Sequence, residues 1–242
     1  MISWVFDVDG VLCNTGEEID SEFENWFVNW AKDKQVYLLT GSQREKTILQ
    51  IGQRIVDLAA VSYNCLGNSI WTNGEEERVN QFDLTAEEIA WFEAVLDTSE
   101  FPIRAGRHID VRHGAINFSV LGRNGDLKQR AEYKKFDQNH HERERIKSAF
   151  TARFPRFEVF LGGDVSIDIC LKNANKGQVI NKIPGPRYFF GDRCYPGGID
   201  EPFARKCKDP GDRVFEVMGY QQTWNILKIL EENKHVINER TL

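Results

Sequence analysis

The N-terminal segment limits the fold more than any other feature of the sequence. Residues 2–6 form a short apolar run, which predicts a buried strand. The run is followed by Asp7 and Asp9, one residue apart, and then by Gly10, which allows the chain to turn sharply. Side chains alternate along a strand, so the two carboxylates share a face if the strand continues. At the carboxyl end of a central parallel strand they would lie in the crevice where α/β sheets bind ligands.

Two carboxylates placed side by side repel each other. Such a pair is therefore typical of a site where a cation lies between them, or where one of them holds a proton. A strand that ends in a polar turn without any function is the alternative, because short motifs predict sites only loosely.

The next segments alternate between helix and strand. Aromatic residues at helical spacing indicate a helix over residues 17–33, and a short apolar strand over 36–39 precedes a second helix over 43–53. Strand, helix, strand and helix in this order predict a parallel sheet.

Thr40 and Ser42 follow the second strand, so we expect them at the same sheet edge as Asp7. A hydroxyl or amide group at a helix N-terminus is suited to holding a phosphate oxygen. A helix cap by Ser42 is the alternative interpretation.

The character of the sequence changes near residue 81. Thr85 and Glu88 form a capping box that opens a helix, with Ile89, Phe92 and Leu96 expected to face inward. The elements predicted next are a hairpin over residues 107–120, a helix near 138–153 and strands over 157–160 and 165–170. Helices against an antiparallel sheet, inserted into a parallel α/β chain, predict a separate α+β cap domain.

The α/β pattern returns after residue 175. Lys176 opens a predicted helix, and a strand over residues 187–190 ends close to Asp192 and Asp200. We therefore expect an α/β fold, with a Rossmann-like parallel-sheet core interrupted by an α+β cap. The expected boundaries are 1–81 and 176–242 for the two parts of the core and 82–175 for the cap.

The middle of the chain carries a local excess of positive charge. Between Arg104 and Lys135 there are eight Lys or Arg residues against three Asp or Glu. Such an excess suits an anionic partner, whereas a solvated basic surface is the alternative.

The motif Asp-Val-Asp-Gly after a hydrophobic strand resembles the first motif of the haloacid dehalogenase (HAD) superfamily of phosphotransferases. The resemblance implies that Asp7 is a nucleophile and Asp9 a general acid/base. It also implies that Thr40, with Ser42 sharing its role, and Lys176 contact the transferring phosphoryl group. The implied cofactor is Mg²⁺. Its implied ligands are Asp7, Asp9 and Asp192, supported by Asp200.

Three later segments are similar to the eukaryotic-type phosphomannomutases within that superfamily, including their type of cap. They are "DVRHGAINFSVLGR", "GGDVSIDIC" and "YFFGDRCYPGGIDEPF". The similarity implies a hexose phosphate substrate and a homodimer formed through the cap. The substrate-binding residues that it implies are Arg112, Asn117, Arg123, Arg130, Ser166 and Asp168.

Some positions depart from that family's pattern. Val11 replaces a threonine, Gly16 stands where the family has a core arginine, and Ile199 replaces an asparagine. The residues before Lys176 also differ from the family's Gly-Trp-Asp context. These departures leave open which sugar is used and whether the phosphoryl group passes to sugar or to water. A sugar-phosphate phosphatase is the alternative enzyme, and a non-catalytic sugar-phosphate binding protein is a third hypothesis.

Composition excludes several other classes. The net charge of −6 argues against a general nucleic-acid binder. Five scattered cysteines without metal-ligand spacing favour a reducing cytoplasm over a disulfide-stabilised protein. The sequence also lacks a signal-peptide pattern and any apolar run long enough to span a bilayer, so no membrane partner is expected.

Overall fold

The structure is a computed structural model in which residues 1–233 are described. These described residues form two β-sheets, as the predicted combination of core and cap requires. The strands are β1 Ser3–Phe6, β2 Gln35–Leu39, β3 Ala59–Asn64, β4 Ser69–Thr72, β5 Glu75–Arg78, β6 Ile109–Arg112, β7 Ala115–Phe118, β8 Phe157–Gly162, β9 Ser166–Leu171, β10 Arg187–Gly191 and β11 Arg213–Glu216.

Seven α-helices accompany these strands among the described residues. They are α1 Ser21–Ala31, α2 Arg44–Leu58, α3 Ala86–Thr98, α4 Leu127–His140, α5 Glu142–Arg153, α6 Glu201–Ala204 and α7 Tyr220–Glu232. Two 3-10 helices cover Cys65–Gly67 and Lys176–Lys182, so Lys176 opens a helix as predicted, although of the tighter 3-10 type.

The larger sheet has seven strands in the order β11-β10-β1-β2-β3-β4-β5. β1 lies near its centre and pairs in parallel with both β2 and β10. The edge formed by β4 and β5 is an antiparallel hairpin, which the sequence analysis did not predict. Asn73 and Gly74 join these two strands with positive φ angles of 52° and 83°, which is the geometry of a type I′ hairpin turn.

Helix α1 carries the aromatic stripe that the sequence predicts. Phe23, Phe27 and Trp30 are buried in the core, where the ring of Phe27 packs edge-on against Phe6 of β1. The helix begins at Ser21 rather than near residue 17, because the Asp20 side chain accepts hydrogen bonds from the first backbone amides and so caps it.

The smaller sheet is antiparallel, with the order β6-β7-β9-β8, and belongs to the cap. Its apolar face packs against helices α3, α4 and α5 through a cluster that includes Phe92, Phe118 and Phe150. The boundaries expected at residues 82 and 175 stay a prediction; α3 and β9 both lie inside them. Within the described residues, every helix is too short or too polar to cross a bilayer.

The cap differs from expectation in two places. Helix α4 was not predicted, because only Tyr133 and Asp137 of its residues are buried and its apolar periodicity is weak. Its capping box, formed by Asp126 and Gln129, was the available signal. Ile89 was expected to face inward but is 39% exposed, since Phe92 and the partly buried Trp91 and Val95 supply the packing face of α3.

The two faces of α3 give a test of the cap core. We expect Phe92→Ala to lower the free energy of unfolding by about 3–5 kcal/mol, because it leaves a cavity among packed rings. Ile89→Ala on the exposed face should change it by less than about 1 kcal/mol. Chemical denaturation of both variants checks this, and equal losses would contradict the assignment of the buried face.

Candidate active site

The site begins where β1 ends, at the centre of the larger sheet. The Asp7 side chain is buried there, and the Lys176 Nζ lies 2.9 Å from its Oδ1 and 2.7 Å from Oδ1 of Asp200. Burial of Lys176 opposes its charge, but the two carboxylates outweigh this and raise the pKa of Lys176 above its ordinary value. The lysine is therefore a fixed positive charge beside the nucleophile expected from the sequence.

Three carboxylates from two segments, the end of β1 and the loop after β10, meet in this site. Asp7, Asp192 and Asp200 each offer an oxygen, and these oxygens lie within 4.8 Å of one another. Asp200 accepts hydrogen bonds from the backbone amides of Asp192 and Arg193, both at 3.1 Å. This bonding orients Asp200 within the loop after β10, and Lys176, between Asp200 and Asp7, links that loop to the end of β1.

The cluster has the properties of a cation site. Burial and mutual repulsion raise the pKa of Asp7 well above its ordinary value, and burial with the nearby Asp200 raises the pKa of Asp192 to about 7. A divalent cation would offset this repulsion, and oxygen ligands suit a hard ion. The three residues therefore fit a metal.

Gly10 is required for this close approach. Its φ angle is +79°, and a Cβ atom at this position would lie only 2.6 Å from Oδ2 of Asp192. A larger residue at this position would strain the turn and push the Asp192 carboxylate away from the Asp7 carboxylate.

Asp9 faces helix α2 and is held by several donors. Its carboxylate accepts hydrogen bonds from Lys46 Nζ at 2.7 Å, Gln50 Nε2 at 2.8 Å and the Gly16 amide at 2.8 Å, with Ser42 Oγ at 3.3 Å. Burial opposes ionisation, but the Lys46 charge and these bonds dominate and lower the pKa of Asp9 to about 2. Asp9 is thus ionised in this arrangement.

The sequence analysis missed Lys46 and Gln50. A signal was present, because Ser42, Lys46 and Gln50 recur every four residues and so lie on one face where α2 begins. Thr40 is buried at the end of β2, and its Oγ1 accepts a hydrogen bond from the Ser42 amide at 3.1 Å.

The cap contributes a cluster of arginines organised by a buried aspartate. Asp110 lies on β6 and contacts Arg107, Arg112 and Arg123 at 2.5, 3.0 and 3.7 Å. Arg112 also donates a hydrogen bond of 2.9 Å to the Gly41 carbonyl of the core, so it joins the two sheets. Partial burial and the neighbouring Arg112 lower the pKa of Arg123, which shows how closely the charges are gathered. Asp110 was not identified from the sequence.

The polar residues of β7 and β9 form a connected group. Asn117 Nδ2 donates to Ser166 Oγ and to Asp168 Oδ1, both at 2.9 Å. The Asp168 side chain can point toward Asn117 because residue 162 is a glycine. A Cβ atom at Gly162 would lie only 1.6 Å from Oδ2 of Asp168. The Asn117 Oδ1 atom is buried and has no hydrogen-bond partner among the described residues.

A cavity of about 380 Å³ separates the core carboxylates from the cap arginines. Of the site residues expected from the sequence, Asp200 alone does not line it and lies just behind the others, fully buried. The lining residues are Asp7, Asp9, Thr40, Ser42, Lys176 and Asp192 from the core and Arg112, Asn117, Arg123, Arg130, Ser166 and Asp168 from the cap.

Solved structures with the same fold support the architecture. The chain is similar to the Candida albicans trehalose-6-phosphate phosphatase C-terminal domain, with a TM-score of 0.62 and 14% identity, covering 95% of this chain and 91% of that one. Plasmodium falciparum IMP-nucleotidase gives a TM-score of 0.60 at 15% identity, covering 95% and 68%. The α/β core with its antiparallel cap is therefore the HAD fold.

Relatives in sequence narrow the class. The chain is 26% identical over 245 residues to phosphomannomutase 1 of Dictyostelium discoideum, covering 93% of this chain and 95% of the relative. The phosphomannomutase of soybean, Glycine max, is 29% identical, covering 87% and 89%. That of Saccharomyces cerevisiae is 25% identical, covering 81% and 82%.

Together the fold and these relatives define an enzyme of the HAD phosphotransferase or phosphatase type. The family model for eukaryotic phosphomannomutase matches residues 23–231. The chain belongs to this family, which acts on small sugar phosphates, and its function is phosphomannomutase-like.

The carboxylate cluster predicts a pH-dependent response to divalent cations. Without metal, the folded protein keeps a proton on Asp192 that the unfolded chain releases, so this group contributes stability that is lost as the pH rises to about 7. A cation must displace that proton. We therefore expect MgCl₂ to raise Tm more at about pH 8 than at about pH 5.5.

Differential scanning fluorimetry measures this difference directly. Asp192→Asn should remove most of the shift at the higher pH, whereas Asp97→Asn on the exposed side of α3 should leave it intact. An equal rise in Tm at both pH values would contradict a role for these carboxylates in binding the cation.

Proposed function

We propose that the enzyme interconverts hexose 1- and 6-phosphates, mannose phosphates foremost, through a phosphorylated Asp7. The observation that carries this proposal is the convergence of Asp7, Lys176 and Asp192 at the floor of a cavity whose opposite wall carries arginines. The floor with Asp7 and Lys176 suits the phosphoryl group that is transferred. The opposite wall with the arginines suits a phosphate of the substrate that is not transferred.

Asp7 acts as the nucleophile in this proposal. Its carboxylate attacks phosphorus and the bond from phosphorus to the sugar oxygen breaks, which divides one difficult transfer into two easier ones. Lys176 lies close enough to hold the carboxylate in place and to balance the charge on the phosphoryl oxygens. The hydroxyl of Thr40 and the amide of Ser42 lie at the same sheet edge.

Asp9 acts as the general acid/base in this proposal. It is ionised here, so it is ready to accept a proton from the sugar hydroxyl that attacks the phosphorylated Asp7. In the reverse half-reaction it returns that proton to the leaving sugar oxygen. Lys46 and Gln50 keep the carboxylate oriented between these steps.

We propose Mg²⁺ as the cation, with Asp7, Asp192 and the Asp9 backbone carbonyl as ligands and Asp200 in support. When bound, it would orient the transferring phosphoryl group and neutralise part of its charge. The engagement of both Asp200 oxygens with Lys176 and with backbone amides favours the supporting role for that residue.

In the cap, we propose that Arg112, Arg123 and Arg130 hold the second phosphate. Asp168, Ser166 and Asn117 lie on the adjacent strands and offer hydrogen-bond partners for the sugar hydroxyls. Charge-assisted contacts of this kind fix a substrate's orientation as well as its affinity.

A sugar-phosphate phosphatase is the second candidate, because Gly16 leaves open space beside Asp9. A Cβ atom at Gly16 would meet nothing within 4 Å, so water has room on this side of the cavity. Whether sugar or water accepts the phosphoryl group then decides between a mutase and a phosphatase.

We also propose a cytoplasmic enzyme that acts on a small molecule rather than on nucleic acid or a membrane, and that pairs through its cap. The free cysteines Cys13, Cys65, Cys170, Cys194 and Cys207 support a reducing compartment. The net charge of −6 disfavours binding to nucleic acid.

Replacing the nucleophile tests the covalent scheme. We expect Asp7→Asn to abolish turnover of mannose 1-phosphate and glucose 1-phosphate, supplied with Mg²⁺ and a trace of hexose bisphosphate, because the amide cannot form the phosphoryl-enzyme. Isomerised sugar phosphate from the wild type indicates a mutase, and free phosphate indicates a phosphatase. Asp97→Asn is the surface control, and turnover retained by Asp7→Asn would refute the scheme.

The cap arginines give a second test. Arg123→Ala should raise KM for a sugar phosphate by roughly tenfold or more, since it removes a charge-assisted contact to the phosphate that stays in place. Arg123→Lys should recover only part of the loss, because lysine lacks the planar donor pair. An unchanged KM in Arg123→Ala, measured by steady-state kinetics, would remove this residue from the phosphate site.

A further inference from the structure

Arg193 is a charged residue of the cavity wall that the proposed mechanism does not use. It follows Asp192 in the loop after β10, and only 15% of its side chain is exposed. A guanidinium group at this depth needs partners for its donors, because a buried charge without partners is costly. The partners of Arg193 come from two different parts of the molecule.

One partner belongs to the carboxylate cluster of the core. The Nε atom of Arg193 donates a hydrogen bond of 3.3 Å to Oδ2 of Asp192. Burial and the nearby Asp200 raise the pKa of Asp192, and the positive charge of Arg193 opposes that rise. The guanidinium group therefore already engages one of the carboxylates that fit a metal, and a cation that binds there has to share Asp192 with it.

The other partners belong to the cap, at the hairpin that joins β8 and β9. Nη1 of Arg193 donates to the Leu161 carbonyl at 3.4 Å, and Nη2 lies 3.6 Å from Oδ1 of Asp164 in the hairpin turn. Lys134 of α4 also contacts Asp164, at 3.1 Å. The same turn leads directly into Ser166, which lines the cavity. One side chain thus connects the carboxylate cluster with the cap strands that face the substrate.

The loop that carries Arg193 is also where the backbone of the core meets the cap. Gly198 of this loop forms a β-bridge with Leu161, and Nζ of Lys147 in α5 donates to the Gly197 carbonyl at 3.4 Å. The loop starts and ends at carboxylates of the cluster. A change in charge at the cluster therefore acts on the segment of the core that the cap contacts.

The distances indicate that the charge of Arg193 is divided between two carboxylates. Its contacts with Asp192 and Asp164, at 3.3 and 3.6 Å, are both longer than a fully formed charge-assisted hydrogen bond, which measures about 2.7–2.9 Å. A divalent cation at the cluster attracts the Asp192 carboxylate and repels the guanidinium group. The attraction of Arg193 to Asp164 then outweighs its attraction to Asp192.

We propose that Arg193 couples cation binding at Asp192 to the β8–β9 hairpin of the cap. A bound cation strengthens the contact between Arg193 and Asp164, which fixes the hairpin that carries Ser166. Coupling between two sites is reciprocal, so the contact with Asp164 also makes Asp192 a better ligand for the cation. This inference rests on the proposed cation site. Arg193 is a positioning residue, because it acts through these two carboxylates and takes no part in bond making.

Hydrogen exchange followed by mass spectrometry, without substrate, measures the cap side of this coupling. We expect MgCl₂ to slow amide exchange over residues 161–166 of the wild type by roughly two- to fivefold, which is the contribution of a partly exposed ion pair. Arg193→Met removes the connection and should abolish this protection, while Lys134 still holds Asp164 and the hairpin stays folded. Arg193→Lys should keep only part of it, because an ammonium group lacks the separate donors of a guanidinium group.

Calorimetric titration with Mg²⁺ measures the core side of the coupling. We expect Asp164→Asn to raise the Kd for Mg²⁺ by roughly two- to fivefold, because Asp192 is then the carboxylate that keeps Arg193. Loss of a negative charge alone also weakens cation binding, so the double variant decides between the two causes. In Arg193→Met, the added change Asp164→Asn should alter Kd by less than about 1.5-fold. Asp97→Asn, on the exposed side of α3, is the matched control.

Failure of the coupling can be told apart from failure of the proposed cation site. If Asp164→Asn changes Kd equally with and without Arg193, or if residues 161–166 stay protected in Arg193→Met, the coupling is refuted. Mg²⁺ that binds the wild type without slowing exchange in the hairpin also refutes the coupling and leaves the cation site intact. A wild type that binds no Mg²⁺ refutes the cation site and the coupling together. If Arg193→Met does not fold, Arg193→Gln replaces it in both measurements.

Discussion

The rest of the site depends on the ion pairs that the ammonium group of Lys176 forms with two carboxylates. It is completely buried between Asp7 and Asp200, at distances of 2.9 and 2.7 Å. Burial strongly disfavours an unpaired charge, so the ammonium group and the two carboxylates depend on one another at this depth. The lysine also ties the segment after the cap to the first strand of the chain, so the assembly of the core and the chemistry of the site share one contact.

The cap has the reverse arrangement of charges, with one carboxylate among several guanidinium groups. Asp110 is buried among Arg107, Arg112 and Arg123, and its carboxylate offsets the repulsion between these like charges. A phosphate arriving in the cavity would meet guanidinium groups that are already gathered and oriented. Such preorganisation lowers the entropic cost of binding. Acidic and basic walls thus face each other across a single cavity of about 380 Å³.

Strong periodicity and strand-end motifs made much of the fold predictable. The helix indicated by aromatic residues at helical spacing is α1, and its Phe23, Phe27 and Trp30 side chains are buried. Asp7 and Asp192 could be placed together from the sequence because parallel strands end at one edge of the sheet, whereas the place of Lys176 followed only from the resemblance to the HAD superfamily. The features that sequence reasoning missed depend on tertiary packing. Asp110 looks like an ordinary strand residue, and α4 has little apolar periodicity, so its capping box is the local pattern that indicates it.

The central position of β1 has a consequence for synthesis of the protein. Among the described strands β1 leaves the ribosome before the others, yet one of its two neighbours, β10, begins only at Arg187. Until β10 has been made, this apolar strand has an open edge, which is the kind of surface that associates with other chains. The nascent polypeptide therefore depends on early shielding of its first hydrophobic segment, and a shortened product that ends within the cap would be a candidate for aggregation or degradation.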